Sequence, residues 1–375
     1  MKILWIPHVA WRIPQRAHLF CRGLAGQHEV HVTDWDADFT RPSDYLSRRY
    51  LRNFTYRRST DGSIVVHGIP RFSPALFLTP LRRLNSFLFA RFVQHIISRY
   101  EIDVVVGTFI CPAPQAPRLL FDLFDDNTGY WRAYGLHRSY ADEIEATERA
   151  YLQKADAVIA ASHVLAGRAI EAGACGSVSW IPNGVELSEY DGADGSRWSA
   201  RLGLAGRLVA VIGNHDKPAE MAKLLAIAGL LARDNFHFVV AGRGLALPAA
   251  QKNASLLGLS NIHFVGPLER RAMPEFLAAM HLGLCPYLRT PGADAGSPMR
   301  LLQYAAAGLP TVCTDLEETR RMGFENVVLV KDDAQAAVDG LLKAAHMPRR
   351  RPPQILEYDL PKLIGSLEDI MAGRK

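Results

Sequence analysis

The chain has 375 residues, of which 49% are apolar and 22% charged, and it carries a formal net charge of +5. This length exceeds one ordinary folding unit, and the composition is that of a globular protein rather than a disordered chain. The positive charge is too small for a dedicated nucleic-acid binder, so no nucleic-acid partner is expected, whereas an anionic ligand is compatible with it.

The five cysteines are scattered along the chain and show no spacing typical of a metal site. An odd, dispersed set of this kind indicates reduced thiols and a cytoplasmic protein. The opening MKILWIP predicts a strand rather than a signal peptide, because Pro7 interrupts it and no cleavage-like site follows. No apolar run is long enough to span a bilayer.

The first half of the chain alternates short apolar runs with helical patterns. Strands are predicted at KILWIP, EVHVTDW, SIVVHGI, DVVVGT, LLFDLFD, AVIAAS and VSWIPNG, and the longest predicted helix is LTPLRRLNSFLFARFVQHIISRY. This alternation is typical of βαβ units and a parallel sheet. A polar stretch, RPSDYLSRRYLRNFTYRRSTDG, interrupts it and is predicted to be an Arg-rich surface loop.

The alternation restarts in the second half with LVAVIG and continues through HFVVAG, NIHFVG, LGLCPY, PTVCTD and VVLVKD. We therefore predict an N-terminal Rossmann-like domain over 1–185, a linker over 186–206 and a second Rossmann-like domain over 207–352. A C-terminal helix over 353–375 follows and can pack back on the first domain. Two such domains favour a ligand site in a cleft between them.

The segment AGSPMRLLQYAAAGLP is predicted to be a loop that turns into a helix. Ser297 is the predicted N-cap, Pro298 opens the first turn and Gly308 ends the helix. Arg300 and Gln303 are three residues apart and share a face near the helix N-terminus. A cation at that terminus can stabilise a diphosphate leaving group. In the alternative interpretation, both side chains merely cover an exposed helix face.

Three strings, IPNGVELSEY, FVGPLERRAMPEFLAAMHLGLCPY and SPMRLLQYAAAGLPTV, resemble in this order a group 1 (family 4-like) retaining glycosyltransferase of the GT-B fold. The resemblance covers most of the chain and is tightest from 181 to 315. It implies an α/β protein with two Rossmann-like domains facing each other across a cleft. It also implies that the helix with Arg300 and Gln303 binds the donor, with the phosphates at Ser297, Pro298 and Arg300 and the ribose hydroxyls at Gln303.

Two departures from the family pattern concern the donor sugar. The family often has two Glu separated by seven residues, and Gln303 stands at the second of these positions. Ala295 stands at the first, which touches the donor sugar, with neighbouring Asp294 as the available substitute. These departures keep open a weakly active or inactive protein.

The loops that follow three strands of the second domain carry further predicted donor contacts. In VIGNHDKPAE, Asn214 takes the place of a family Arg, and Lys217 is the nearest cation to the diphosphate. VVAGRG suits a close approach of backbone and ligand at Gly242, or a plain turn. Val265 and Leu268 of FVGPLE stand where the family packs the nucleobase, and they are alternatively core residues.

In the first domain, Arg16 and His18 of WRIPQRAHLFCRGL are expected to meet a donor phosphate or the acceptor, although His18 is equally suited to capping a helix. Many relatives place a His after the fourth strand. GTFICPAPQAP has Thr108 and Cys111 there instead, so no catalytic base is assigned.

Other polar residues of the first half have two interpretations each. Asp125 or Asp126 in FDLFDDNTGYW resembles an acidic position near the family's acceptor side, and either is equally suited to capping the next turn. The basic-aromatic stretch SRRYLRNFTYRR, and Arg82, Arg83 and Arg91 of the long helix, suit anionic lipid or a polyanionic acceptor. The same interleaving of basic and aromatic residues also suits a nucleic-acid-binding surface. We favour a surface loop and a helix packed on the core.

The expected function is transfer of a sugar from a nucleotide-sugar, UDP- or GDP-linked, to an acceptor hydroxyl on a glycan, glycolipid or other cell-surface precursor. The resemblance implies retention of configuration, without metal or cofactor. Alternatives are a non-catalytic nucleotide-binding partner and a nucleotide-sugar epimerase or hydrolase on the same fold. DWDAD would suit a metal-binding Asp-x-Asp site, but it comes too early in the chain. A cytoplasmic protein is expected, with peripheral contact to the anionic inner face of a membrane as an option.

Overall fold

The structure, a computed structural model, describes residues 1–13, 15–35, 50, 53–72, 78–133 and 138–374. The chain forms two compact units. The first comprises Met1–Pro182 together with Leu360–Lys375, and the second comprises Asn183–Asp359. The segment from Leu360 thus belongs with the first unit, and the first unit ends three residues earlier than the sequence pattern predicts.

An eight-stranded sheet forms the centre of the first unit, in the order β3-β4-β2-β1-β5-β6-β7-β8. The strands are β1 (Lys2–Trp5), β2 (Glu29–Asp34), β3 (Arg57–Asp61), β4 (Ile64–Gly68), β5 (Val104–Gly107), β6 (Arg118–Leu123), β7 (Ala157–Ala160) and β8 (Ser177–Trp180). All neighbouring pairs are parallel except β3 with β4. Central strands such as β5 and β7 are apolar and buried throughout because helices cover both faces of a parallel sheet.

The helices of the first unit are α1 (Arg16–Leu24), α2 (Thr79–Tyr100), α3 (Asn127–Ala133), α4 (Arg138–Lys154), α5 (His163–Glu171) and α14 (Leu360–Met371). Helix α14 lies across α1 at Gly23, where an added Cβ would overlap the side chain of Ile364. The guanidinium of Arg118 donates to the carbonyl of Ile370 at 2.7 Å. These contacts hold the C-terminal helix on the first unit.

The second unit is built on six parallel strands in the order β11-β10-β9-β12-β13-β14. The strands are β9 (Arg207–Asn214), β10 (Phe236–Arg243), β11 (Ile262–Gly266), β12 (Leu282–Cys285), β13 (Thr311–Thr314) and β14 (Val327–Val330). The helices are α6 (Ser196–Leu202), α7 (Pro218–Leu230), α8 (Leu247–Leu256), α9 (Met273–Ala278), α10 (Pro291–Ala295), α11 (Met299–Ala306), α12 (Glu317–Met322) and α13 (Ala334–Ala344). The order is that of a Rossmann sheet: strands are added on one side of β9 up to β11, and from β12 onward they are added on its other side.

The segment 186–206, predicted to be a linker, is folded into the second unit. It contains a 3₁₀ turn and helix α6, whose Trp198 is buried edge-on against Phe276 with ring centroids 5.1 Å apart. Arg351 pairs with Asp191 of the same segment at 2.6 Å. Polar and glycine residues dominate this segment, and they are the reason that a linker is predicted from the sequence. Its two buried aromatic side chains, Tyr190 and Trp198, instead anchor it in the second unit.

Strand β3 and the short helices α3 and α10 escaped the sequence pattern. Strand β3 lies within the predicted Arg-rich loop and forms an antiparallel hairpin with β4, whose Asp61-Gly62 turn is a hairpin signal. Helix α3 is too short to show periodicity. Residues 47–49, 51 and 52 of the basic-aromatic stretch, and Asp36 and Asp38 of DWDAD, lie outside the described residues.

Most of the cysteines lie in the protein interior. Four of the five cysteines are buried, Cys175 is exposed, and none is paired with another in the structure described. In the part of the chain that the structure describes, no helix is both long and apolar enough to cross a membrane.

Candidate functional site

The centre of the second sheet opens where β9 and β12 part. These strands pair only at Leu282 with Val209 and at Gly283 with Ala210. Beyond this point the hydroxyl of Tyr304 donates to the carbonyl of Ala210 and accepts from the N–H of Ile212, both at 2.9 Å. Tyr304 thus satisfies the backbone groups that the departing strand leaves unpaired. This bond anchors α11 to the central strand.

Gly283 makes room for this anchor. A Cβ at Gly283 would lie 2.6 Å from Cδ2 of Tyr304, closer than carbon atoms approach. The ring of Tyr304 therefore lies directly over the backbone of β12. Neither residue stands out in the sequence. Their relation depends on the crossing of α11 over the sheet, which no local pattern reports.

Arg300 lies one turn before Tyr304, at the same opening. Its guanidinium carbon is 4.8 Å from the ring centroid of Tyr287, which follows β12. A Cβ on Gly213 of β9 would lie 3.0 Å from Nη2 of Arg300. Among the described residues, the Arg300 guanidinium forms neither an ion pair nor a hydrogen bond. A cation without an ion-pair partner among the described residues therefore lies between the carboxyl ends of the two central strands, where Rossmann sheets bind ligands.

The loops after β9 and β10 pack backbone against backbone. Gly213 and Gly242 have φ angles of 129° and 140°, and a Cβ on Gly242 would overlap the carbonyl oxygen of Gly213. The close approach predicted at Gly242 is thus made to the β9 loop, and a ligand contact at Gly242 stays a prediction. His215 fills the space between the loops, with Nε2 3.2 Å from the carbonyl oxygen of Ala241. Burial lowers the pKa of His215, so its imidazole is neutral near pH 7.

Asn214 and Lys217 lie in the loop that continues from Gly213. The exposed Asn214 amide donates to Asp216, and Nζ of Lys217 is 3.2 Å from Oε1 of Glu220. Lys217 is the N-cap residue of α7 and its side chain is 42% exposed. Asn214 directly follows Gly213, which lies against Arg300, and the Lys217 charge is partly balanced by Glu220.

The start of α11 differs from the prediction by one residue. Pro298 is the N-cap, and the Ser297 hydroxyl accepts instead from the backbone N–H of Asn183 at 3.3 Å. The Asn183 side-chain amide also donates to the Ser297 carbonyl at 2.8 Å. Gly308 ends the helix in the left-handed region, with φ of 69°, as predicted. Asn183 of the string IPNG therefore holds the loop before α11, a role that its position in sequence did not reveal.

The sugar-binding positions of the family pattern have other contacts here. Gln303 lies beside Tyr190, a buried tyrosine whose pKa is raised mainly by burial. Ala295 is completely buried, and the Asp294 carboxylate accepts from the backbone N–H of Glu317 at 3.0 Å. Asp294 therefore caps α12, and the Ala295 methyl group belongs to the core.

Val265 and Leu268 are both half-buried and lie outside the buried core of the second unit. Val265 is in β11, two strands from β9, which separates it from the central strand by about 10 Å. Their partial exposure is compatible with a ligand contact and does not agree with the alternative that they are core.

Arg16 and His18 are buried inside the first unit. Nε of Arg16 is 3.0 Å from Oδ1 of Asp122, and its guanidinium donates to the Ile181 carbonyl at 2.6 Å. His18 stacks on Trp11 with ring centroids 3.7 Å apart, and Nδ1 accepts from the backbone N–H at the start of α1. This geometry corrects the expected ligand contacts: Arg16 is an internal ion-pair partner, and His18 caps α1.

Thr108 and Cys111 are also buried, and burial raises the pKa of the Cys111 thiol. Asp126 accepts from the backbone N–H of Gly129 at 2.9 Å and pairs with Arg168 at 3.0 Å. The capping alternative thus describes Asp126. In the described portion of the chain, no group of three or more His, Cys, Asp or Glu side chains could hold a metal ion.

Comparisons with known proteins agree with this architecture. A family model described as "Glycosyl transferases group 1" matches residues 201–346, and one described as "Glycosyltransferase Family 4" matches residues 14–189. TuaH of Bacillus subtilis, named for a glycosyltransferase of teichuronic acid biosynthesis, is 28% identical over 183 residues. That match covers 48% of this chain and 45% of TuaH, less than half of either protein.

Two solved structures show the same fold along the whole chain. Sucrose-phosphate synthase of Thermosynechococcus elongatus has a TM-score of 0.71 at 14% identity and covers 100% of this chain and 97% of its own. HepE of Anabaena, crystallised with UDP and glucose, has a TM-score of 0.66 at 14% identity and covers 100% of both chains. The predicted α/β fold class is confirmed. The chain therefore belongs to the group 1 glycosyltransferases of the GT-B fold.

Proposed function

We propose that the protein transfers a sugar from a nucleotide-sugar to an acceptor hydroxyl, and that the second unit binds the donor diphosphate at Arg300. The observation that carries the proposal is the Arg300 guanidinium, which has no ion-pair partner among the described residues and lies beside Gly213. A diphosphate would offset the cost of keeping this cation partly out of water.

The N-terminus of α11 adds to the positive potential at the same point. The Pro298 carbonyl accepts from the N–H groups of Leu301 and Leu302. The earlier N–H groups of the helix, at Met299 and Arg300, have no acceptor among the described residues. Charge that develops on the leaving diphosphate would meet these donors and the guanidinium together, without rearrangement of the helix.

We propose a UDP-sugar as donor, with a GDP-sugar as the second choice. HepE, which shares the fold, was crystallised with UDP and glucose, and this supports UDP. Transfer with retention needs no protein nucleophile if the acceptor attacks from the leaving-group side and a donor phosphate oxygen takes its proton. We propose that the protein follows this path and that it does so without a metal ion.

The acceptor that we propose is a glycan or lipid-linked precursor of a cell-surface polymer. The support is the name of TuaH, which refers to teichuronic acid biosynthesis. Such a precursor would be met at the cytoplasmic face of a membrane. On α2 the exposed side chains of Leu84 and Phe87 lie among the exposed Arg83 and Arg91, a mixture suited to an anionic surface. Co-sedimentation with anionic and neutral vesicles tests this contact.

Isothermal titration calorimetry of UDP and GDP, in the presence of EDTA or manganese, tests the donor site. We expect metal-independent binding of one diphosphate, weakened about 10- to 100-fold in Arg300→Ala, since a charge-assisted hydrogen bond contributes about 1.5–3 kcal/mol. Arg233→Ala is the matched control, because Arg233 is exposed before the amino end of β10. Equal affinity of wild type and Arg300→Ala would refute the phosphate role.

A second candidate is a nucleotide-binding protein without transferase activity. The buried Ala295 and the position of Gln303 beside Tyr190 favour it, because two positions that serve the sugar in the family have other neighbours here. Nucleotide binding without sugar transfer to any glycan acceptor would support this candidate. Release of free sugar from the donor without an acceptor would instead indicate a hydrolase.

A further inference from the structure

The first unit contains a polar pocket that the donor site does not involve. Its volume is about 110 Å³, well below the roughly 300 Å³ of a site for a drug-sized ligand. The side chains that matter in its wall are Arg71, Arg82, Asn85, Phe109, Tyr140 and Glu143. Arg71 follows β4 and Phe109 follows β5, so the pocket lies at the carboxyl edge of the first sheet.

Arg71 is fixed in place by its backbone. Its N–H donates to the Asn53 carbonyl at 3.0 Å, and its own carbonyl accepts from the Asn53 amide. The guanidinium carbon lies 5.4 Å from the ring centroid of Trp35. No carboxylate of the described residues pairs with this guanidinium. Burial lowers the pKa of Arg71, but an arginine stays charged, so this half-buried cation has no counter-ion among the described residues.

Arg82 on the opposite wall is neutralised and rigid. Its Nε and Nη2 donate to the two carboxylate oxygens of Glu143 at 2.9 and 3.0 Å. Nη2 also donates to the hydroxyls of Thr79 and Ser139. Among the described residues that line the pocket, two arginines and one glutamate leave one positive charge without an ion-pair partner, and that charge belongs to Arg71.

Other arginines of this protein differ from Arg71, because they are either paired inside the protein or exposed to water. Arg16 pairs with a carboxylate and a carbonyl, and Arg351 pairs with Asp191 and donates to two carbonyls. Arg83, on the same helix as Arg82, is exposed to water. Arg71 is less exposed than Arg83, and its guanidinium has none of the internal acceptors of Arg16 and Arg351 among the described residues. A ligand that supplies the missing negative charge would resolve this.

We propose that this pocket binds one oxyanion, a phosphate or a carboxylate group, with Arg71 as its principal contact. The volume holds an acidic group but not a sugar ring with it. Arginine suits such a group because its planar fork can meet two oxygens at once. On the proposed function, from which this assignment follows, the oxyanion is an acidic substituent of the acceptor.

Calorimetric titration without nucleotide, at constant ionic strength, tests the pocket directly. The probes are inorganic phosphate, glucuronate and glucose. We expect saturable binding of phosphate or glucuronate and none of glucose, with affinity lowered about tenfold or more in Arg71→Ala. Arg83→Ala is the matched control and should bind as the wild type does. Preference for phosphate indicates a phosphorylated acceptor, and preference for glucuronate indicates a sugar acid.

Glu143→Gln separates loss of the site from loss of the fold. Removal of the carboxylate leaves Arg82 unneutralised, so anion affinity should rise several-fold, a gain that a misfolded variant cannot give. Equal affinity of wild type and Arg71→Ala, or no saturable binding of either anion, overturns the proposal. UDP binding is measured separately on the same samples. Absence of UDP binding would overturn the proposed function and the assignment of the oxyanion to the acceptor. Binding of phosphate or glucuronate would still decide whether the pocket is an anion site.

Discussion

The buried ion pair of Arg16 and Asp122 predicts a large loss of stability when Arg16 is replaced by Met. The two side chains are 5% and 3% exposed, and their charged atoms are 3.0 Å apart. Burial raises the pKa of Asp122, and Arg16 opposes that rise. Without the cation, the carboxyl group must stay buried uncompensated or take up a proton. Removal of one partner of such a pair costs about 3–5 kcal/mol.

This cost corresponds to a fall in melting temperature of roughly 6–20 °C, since a unit of about 200 residues shifts by about 2–4 °C per kcal/mol. Tryptophan fluorescence during thermal and urea unfolding reports the first unit, which holds five of the six tryptophans. The double variant Arg16→Met/Asp122→Leu should recover most of the loss, because an apolar pair needs no charge compensation. UDP affinity should match that of the wild type.

The opposite pattern would refute this reasoning. If Arg16→Met melted within about 2 °C of the wild type while UDP affinity fell tenfold, the guanidinium would be reaching a phosphate rather than Asp122. A double variant no more stable than Arg16→Met would likewise show that the ion pair is not the source of the loss.

Tyr304→Phe removes the hydroxyl that anchors α11 to β9, so we expect a loss of about 1–3 kcal/mol in unfolding free energy and weaker UDP binding. Urea unfolding and calorimetry measure the two effects, and unchanged values would show that the hydroxyl does not anchor the helix. Burial raises the pKa of Glu148 from 4.5 to about 7, so the folded state holds the proton longer and stability falls as pH rises through that window, by at most about 3 kcal/mol. Glu148→Gln should remove this slope between about pH 5 and pH 8, and an identical slope would contradict the assignment. Burial lowers the pKa of His67 from 6.5 to about 4, so the folded state resists protonation and stability is lost as pH falls from 6.5 to 4. Urea midpoints of His67→Gln should be less sensitive to acid than those of the wild type.

Much of the fold follows from local pattern. The apolar runs that become β1, β2, β9 and β10 are readable because strands of a parallel sheet are buried on both faces. The short helix carrying Arg300 and Gln303 was also predicted, with its end at Gly308, because caps and periodicity act within a few residues. The edge strand β3 escaped, because four of its five side chains are exposed and carry no apolar signal.

The partners of the polar side chains were decided by tertiary structure alone. Arg16 meets Asp122 across 106 positions of sequence, and Tyr304 meets the backbone of Ala210 across 94. The sequence analysis placed Arg16 at a ligand and gave Tyr304 no role, because a charge or a hydroxyl in a string does not reveal which atoms surround it.

Periodicity thus determined which segments became strands and helices, and the motif around Arg300 determined the family. The packing of distant elements decides which arginine side chains find a carboxylate partner inside the protein. Arg16 and Arg82 have carboxylate partners, whereas Arg71 and Arg300 have none among the described residues. The physical reason is that a buried charge is stabilised by atoms within a few ångströms, and those atoms come from parts of the chain that only folding brings together.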